Sequence, residues 1–396
     1  MQGLTAQAYL VMHRYKKGVI MQILKNAYRT LAIMSMSLFS NATLAQEAMV
    51  NDIRSVPAES LAASRNDNNW QPPRTSWGHP DIQGIWTSDD MRGVPTNRPQ
   101  QFGERTSLTA EEFAQRANRD QAGMDRAVND ETFLRNEYGI RTFGYTSLVI
   151  DPPNGRIPEM TDVGKSRAAP RDRGTFGSGP FNTVEDFTNY DRCISRGIVG
   201  SVLPVLYGNG MRILQTPDSV VISYEMIHDT RIIPIDESPF LDDAIRQYLG
   251  SSRGYWDGDT LVIETRNLTD KTSIGGNGNG TRHSEEMVMT EHMTRVDDEM
   301  IDYIITVNDP VTYTAPFSFR FTITSQPGYQ LYEYSCHEGN GAVGHTLSGE
   351  RAWERQVAEA MANGETMPER AGGFSIYAAP QEGAEIIQIG EEDAVD

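Results

Sequence analysis

No apolar run in this chain approaches the roughly 18 to 20 residues that a membrane-crossing helix requires, which excludes an integral helical membrane protein. Positive charge is scarce: 35 Lys and Arg stand against 54 Asp and Glu, a formal net charge of −19. With no basic stripe to offset it, that charge repels phosphate backbones and anionic membranes, and nucleic acid is not expected as a partner. The short signatures of metal centres are also missing. There is no HExxH, no paired Cys-x-x-Cys and no Asp-x-Asp-x-Asp-Gly loop, so no signature metal site is expected. Without a Gly-x-Ser-x-Gly elbow a serine hydrolase is not expected. The glycine-rich stretch Gly275 to Gly280 has no Lys-Ser/Thr after it, so it reads as a flexible loop rather than a phosphate cradle, and no cofactor is implied.

What is present begins with a leader. Lys25 and Arg29 precede an apolar run from Leu31 to Phe39, and Thr43-Leu44-Ala45 offers small residues where a signal peptidase reads them. Cleavage after Ala45, a mature chain starting at Gln46 and a true start at Met21 are the resulting expectations. The protein is then periplasmic or secreted, with no stable membrane insertion after cleavage. Losing the leader leaves 30 of the 35 basic residues against 54 acidic ones, about −24. Cys193 and Cys336 are the only cysteines. An even count in an exported chain predicts a disulfide between them, closing a loop of roughly 140 residues. Two separate buried thiols are the alternative; a catalytic cysteine lacks support, because His337 is next to Cys336 in the chain rather than facing it.

Four segments follow from pattern: the leader 1–45, an extended arm plus helix 46–145, an antiparallel β domain 146–349, and a terminal helix with an acidic tail 350–396. In the arm, Pro72-Pro73 and His79-Pro80 alternate with Trp70, Trp77 and Trp86, as in an irregular segment held by aromatic anchors. Thr109 and Glu112 form a capping-box pattern opening a helix to about Val128. From Met211 onward, runs rich in Val, Ile, Thr and Tyr alternate with turn residues. The expected strands include Met211 to Thr216, Val220 to Ile227, Arg231 to Ile235, Thr260 to Asn267, Glu286 to Val296, Met300 to Val307, Phe317 to Thr324 and Tyr329 to Cys336. Asp257-Gly258 marks the clearest hairpin. Short helices are expected over Phe240 to Leu249 and Glu350 to Ala362. The class is mainly β, an antiparallel meander forming a lipocalin-like barrel or a sandwich.

The candidate chemistry comes from strand parity. Ile222, Tyr224, Met226 and His228 share one face of the expected strand. A histidine beside a phenol on an apolar face suits proton transfer, and Asp229 and Arg231 could orient the imidazole and hold an anion. The competing reading makes His228 a structural histidine and Asp229–Arg231 a turn ion pair. A metal assembled from His283, Glu291, His292, His337 and Glu338 stays open. Three functions fit: an enzyme doing cofactor-independent acid–base chemistry on a small organic molecule (lyase, isomerase or hydratase), a lipocalin-like binder of a lipid or aromatic ligand, or a carbohydrate-active hydrolase or lyase using two of Glu264, Glu291 and Glu333. In each case the partner is a small molecule, and the sequence leaves the oligomeric state open.

Five phrases, in order along the chain, resemble a family of exported proteins of soil and aquatic bacteria: Trp77 to Trp86 (WGHPDIQGIW), Leu148 to Pro158 (LVIDPPNGRIP), Met226 to Asp236 (MIHDTRIIPID), Gly254 to Thr272 (GYWDGDTLVIETRNLTDKT) and Tyr332 to Asn340 (YEYSCHEGN). The resemblance implies one integrated exported domain over most of residues 70 to 350. It carries no functional residue across.

Overall fold

The computed structural model describes residues 54–56, 70–129, 139–168, 180–278, 280–326 and 328–368. The expected leader and its cleavage point, residues 169–179, and the acidic tail 382–396 lie outside them.

Two-residue alternation of apolar side chains builds the main sheet. Its nine principal strands are β1 (Gly84–Thr87), β2 (Gly210–Gln215), β3 (Ser219–Tyr224), β4 (Thr230–Pro234), β5 (Ser251–Asp257), β6 (Thr260–Arg266), β7 (Val288–Arg295), β8 (Met300–Asn308) and β9 (Phe317–Thr324). They run in the spatial order β4-β3-β2-β1-β9-β8-β7-β6-β5, every neighbouring pair antiparallel. Neighbours in the sheet are consecutive in sequence except β9 and β1, so the chain meanders in two runs whose join curls the sheet into a nearly closed barrel. The last seam, between β4 and β5, is closed by side chains. Arg231 on β4 donates to Ser252 on β5, and a methyl group at Gly254 would come within 2.7 Å of Ile235 Cδ1 and 3.1 Å of Ile233 Cγ2.

One face of every strand fills the interior. Met211, Ile213, Val220, Ile222, Ile233, Leu261, Ile263, Met289, Met293, Ile301, Ile305 and Val307 are buried in one cluster. Phe317, Phe319 and Phe321 form an aromatic ladder with centroids 5.4 and 5.8 Å apart, joined by Tyr303. Trp86 closes the layer, its indole N–H donating to the Ile82 carbonyl at 3.0 Å. Trp86 therefore serves core packing.

Four helices among the described residues surround this core: α1 (Ala110–Asn129), α2 (Asp162–Ala168), α3 (Gly197–Val202) and α4 (Ala342–Asn363). None is long and apolar enough to cross a membrane. The capping box at α1 forms as expected, with Glu112 N–H donating to Thr109 Oγ1 at 3.3 Å and Thr109 N–H to Glu112 Oε2 at 2.8 Å. The β5–β6 hairpin turns at Gly258, which adopts φ +60°, a backbone conformation open to glycine at little cost.

Several expectations are corrected. Residues 84–87, read as part of an irregular arm, form β1. Strand β3 stops at Tyr224 instead of Ile227, because Ile227 and His228 take left-handed φ values of 69° and 61°, which no strand accommodates. Residues 240–249 form no helix: Asn267 Nδ2 captures the carbonyls of Leu241 and Asp242, and Asp242 Oδ1 accepts from Ala244 N–H at 2.9 Å. Tyr329 to Cys336 is not a strand, since the other edge of β9 is occupied by β1 and by the short strand Val149–Asp151. Helix α4 begins at Ala342, eight residues before the expected Glu350.

Candidate functional site

Six strands each turn one polar side chain into the barrel at a common level: Tyr224, Arg231, Ser252, Thr265, Glu291 and Tyr303, all buried. Arg231 and Glu291 form the centre. The guanidinium donates from Nη1 to Oε1 at 2.9 Å and from Nη2 to Oε2 at 2.6 Å, the bidentate geometry a planar fork favours. Around them, Arg231 also reaches Tyr224 Oη at 3.3 Å and Ser252 and Thr265 hydroxyls at 3.1 Å, and Tyr303 Oη donates to Glu291 Oε1. Burial pushes both phenols up, well above the ordinary range for Tyr303. Burial would lower Arg231, but the facing carboxylate outweighs it and holds the guanidinium well above its usual value. The layer bridges the open seam from β4 to β5 and its hydrogen-bonding capacity is turned inward.

A second group lies at the barrel mouth, beyond the end of β3. Asp229 accepts from Ser195 Oγ at 2.7 Å, and burial raises its carboxyl despite bonds from Ser195 and the Arg196 backbone. Arg196 is fully buried, and burial lowers it to about 10 against the opposing pull of Tyr190, Tyr334, Tyr207 and Asp229. Its Nη1 donates to the Gly208 carbonyl at 3.4 Å, whereas Nε and Nη2 have no hydrogen-bond partner among the described residues. Each such buried donor costs on the order of 1–3 kcal/mol, more on a charged group. Beside Arg196, the Tyr190 hydroxyl sits between those of Tyr207 and Tyr334, at 3.5 and 3.4 Å. Burial, reinforced by these hydroxyl contacts, keeps Tyr190 far above the ordinary phenol range, and burial pushes Tyr334 up to about 12.

Tyr190 and Tyr334 line a cavity of about 680 Å³ between residues 187–193 and 334–346. Its wall includes the disulfide: Cys193 and Cys336 are bonded, with Cα atoms 5.7 Å apart. Besides these two phenols, Asp191, Glu338 and His345 are the ionisable residues around it, and Asn340 Nδ2 ties the two walls together by donating to the Asp191 carbonyl at 3.1 Å.

Of the candidate residues from the sequence, Tyr224 and Arg231 meet inside the barrel, while Asp229 is bonded to Ser195 at the mouth. His228 does not join them; it is exposed on the turn. Sequence reasoning passed over Arg196, Tyr190 and Tyr207. One signal was available: Tyr190 lies three residues before Cys193 and Tyr334 two before Cys336, so the bond between the cysteines brings the two phenols together. The scattered metal candidates stay apart. Glu291 faces inward and His292 outward; His337 and Glu338 are exposed. His283 is buried between Thr272 Oγ1 at 2.6 Å and the Ser284 carbonyl at 3.0 Å, and burial lowers its pKa. Among the described residues no three His, Cys, Asp or Glu side chains gather as metal ligands. Nor do the carboxylates pair, since Glu264 bonds Arg266 on the outer face and Glu333 is exposed. Comparison with family models, with curated proteins and with solved structures finds no match.

Proposed function

We propose that the protein is an exported enzyme that binds a small organic molecule in the cavity beside Tyr190 and transforms it by acid–base chemistry, as a lyase, isomerase or hydratase. The observation that supports this reading is the Tyr190 hydroxyl, flanked by two more phenols at 3.5 and 3.4 Å at the cavity wall with the Arg196 charge beside it. A phenol kept neutral donates a hydrogen bond to a ligand oxygen, and an adjacent buried cation stabilises negative charge developing there. Asp191, Glu338 and His345, around the same cavity, are the groups available to accept a proton. A lipocalin-like binder would need an open interior, and the aromatic ladder and polar layer occupying the barrel weigh against it.

The test is solvent-proton exchange. Pools of small carbonyl compounds incubated with the protein in D₂O are followed by NMR for exchange at carbon, elimination or hydration. Tyr190→Phe, which removes only the hydroxyl, is expected to slow the reaction by about two to four orders of magnitude while circular dichroism stays unchanged. Turnover insensitive to Tyr190→Phe, or a ligand that binds in the cavity without any exchange, refutes the enzymatic reading.

A further inference from the structure

We infer that Arg196 anchors a planar carboxylate on the ligand, an inference that rests on the acid–base reading of the same cavity and names its substrate class. The two donors left without a partner, Nε and Nη2, lie on one edge of the guanidinium. That edge presents two parallel N–H bonds, which a carboxylate accepts with both oxygens. Arg231, the other arginine buried at this end of the barrel, has both terminal nitrogens engaged with Glu291, Tyr224, Ser252 and Thr265 and lacks a partner only at Nε. Arg196 spends only Nη1, on the Gly208 carbonyl. Asp229, its one acidic neighbour, takes hydrogen bonds from Ser195 Oγ and the Arg196 backbone, leaving the side-chain edge open.

The surroundings define the ligand further. Tyr190 and Tyr334 line the cavity while Arg196 is buried behind it, and their hydroxyls stand 3.4 Å apart, so a carboxylate reaches the fork once that hydroxyl contact opens. The guanidinium edge and the Tyr334 hydroxyl together match lone pairs of one carboxylate. A dianion such as phosphate is disfavoured by a single cation, by Asp191 and Glu338 around the cavity and by the chain's net charge of −19. Carboxylate binding at Arg196 leaves Tyr190 free to act on a second oxygen, which places the acid–base chemistry on a carboxylic acid bearing a nearby carbonyl or hydroxyl group.

The probes are sodium acetate, benzoate and cinnamate, with benzamide as the neutral shape control, titrated calorimetrically into the full chain. At least one carboxylate should bind, benzoate more tightly than benzamide by about tenfold or more. Arg196→Lys, which keeps the charge and loses the fork, should weaken carboxylate binding about tenfold and leave benzamide unaffected. If that variant does not fold, the wild-type comparison still decides, together with the Arg196 Nε–H signal in a ¹H–¹⁵N spectrum, which should move downfield on adding the bound carboxylate. Absence of binding by all three carboxylates, equal affinity for benzoate and benzamide, or an unmoved Nε–H signal overturns the inference. Carboxylate binding through Arg196 without any proton exchange upholds it and removes the enzymatic reading; exchange without carboxylate preference does the reverse.

Discussion

Arg231 and Glu291 each carry a charge into an interior filled, apart from the hydroxyls that bond them, by aliphatic and aromatic side chains. Taking either charge alone out of water costs several kcal/mol, and only the pairing and its surrounding hydrogen bonds offset that cost. Glu291→Gln, nearly isosteric, leaves the guanidinium buried without a counter-charge and should lower stability by about 3–5 kcal/mol. Urea unfolding of wild type and variant at neutral pH measures it. A loss under about 1 kcal/mol would mean that water reaches the pair and that the layer does not hold the β4–β5 seam. Little of this cluster was visible in sequence. Parity placed Tyr224 inward, whereas Arg231 was named only as an anion-holding residue of the bend, and its place inside follows from its pairing with Ile222 in the β3–β4 register. Glu291 was noticed only as one of several scattered acids, because nothing local says that a residue on β7 meets one on β4 across a seam without backbone pairing. His228 was misplaced for a local reason: the strand ends before it, at two residues with positive φ.

At the scale of elements, the strongest local signals gave the right structure. The Thr109–Glu112 box starts α1, and Glu112 also accepts both terminal nitrogens of Arg105, at 2.6 and 2.8 Å. The Arg105 bond first, then the Thr109 backbone bond, holds the Glu112 carboxyl down to about 2 from an ordinary 4.5. Because the folded pKa is depressed, this cap's contribution is complete above about pH 4.5 and is lost as pH falls toward about 2, where the protonated group no longer attracts Arg105. Amide exchange at the start of α1 should therefore accelerate between pH 4.5 and 2 relative to the barrel strands, and Glu112→Gln should abolish that extra acceleration. An unchanged ratio would show that the cap contributes nothing. Strands with full alternation, such as β7 and β8, were equally legible. Short elements were not: β1 has four residues, too few for a period to show, and its place between β2 and β9 is a long-range property. Residues 240–249 carry a helical start signal, but Asn267 and Asp242 take the backbone groups that a helix would pair within itself. Tertiary partners overrode local propensity there.

The whole molecule is tied by one covalent link. Cys193 and Cys336 are 143 residues apart, and the loop between them contains eight of the nine principal barrel strands, all but β1. In the chain-entropy model, closing such a loop is worth about 4–5 kcal/mol, acting mainly on the unfolded state. The native-state role of the link is local. Residues 329–336 belong to no ladder, and they are held at the mouth by Glu225, which accepts from Tyr329 Oη at 2.5 Å and Tyr332 N–H at 2.9 Å, and by the bond at Cys336. Removing that bond takes nothing from the barrel's hydrogen-bond ladders and leaves Tyr334 on a segment anchored at fewer points. The double variant Cys193→Ser, Cys336→Ser should therefore keep the far-ultraviolet dichroism of the barrel and lose up to about 4–5 kcal/mol in urea. Cavity function should fall further than stability does, with carboxylate binding weakened at temperatures where the protein remains folded, because Tyr334 no longer flanks Tyr190. The wild-type chain, unfolded without reductant, should show no titratable thiol. Two free thiols would remove the link altogether; a folded variant with wild-type binding would show that Glu225 alone positions the segment and that the bond serves stability rather than the site.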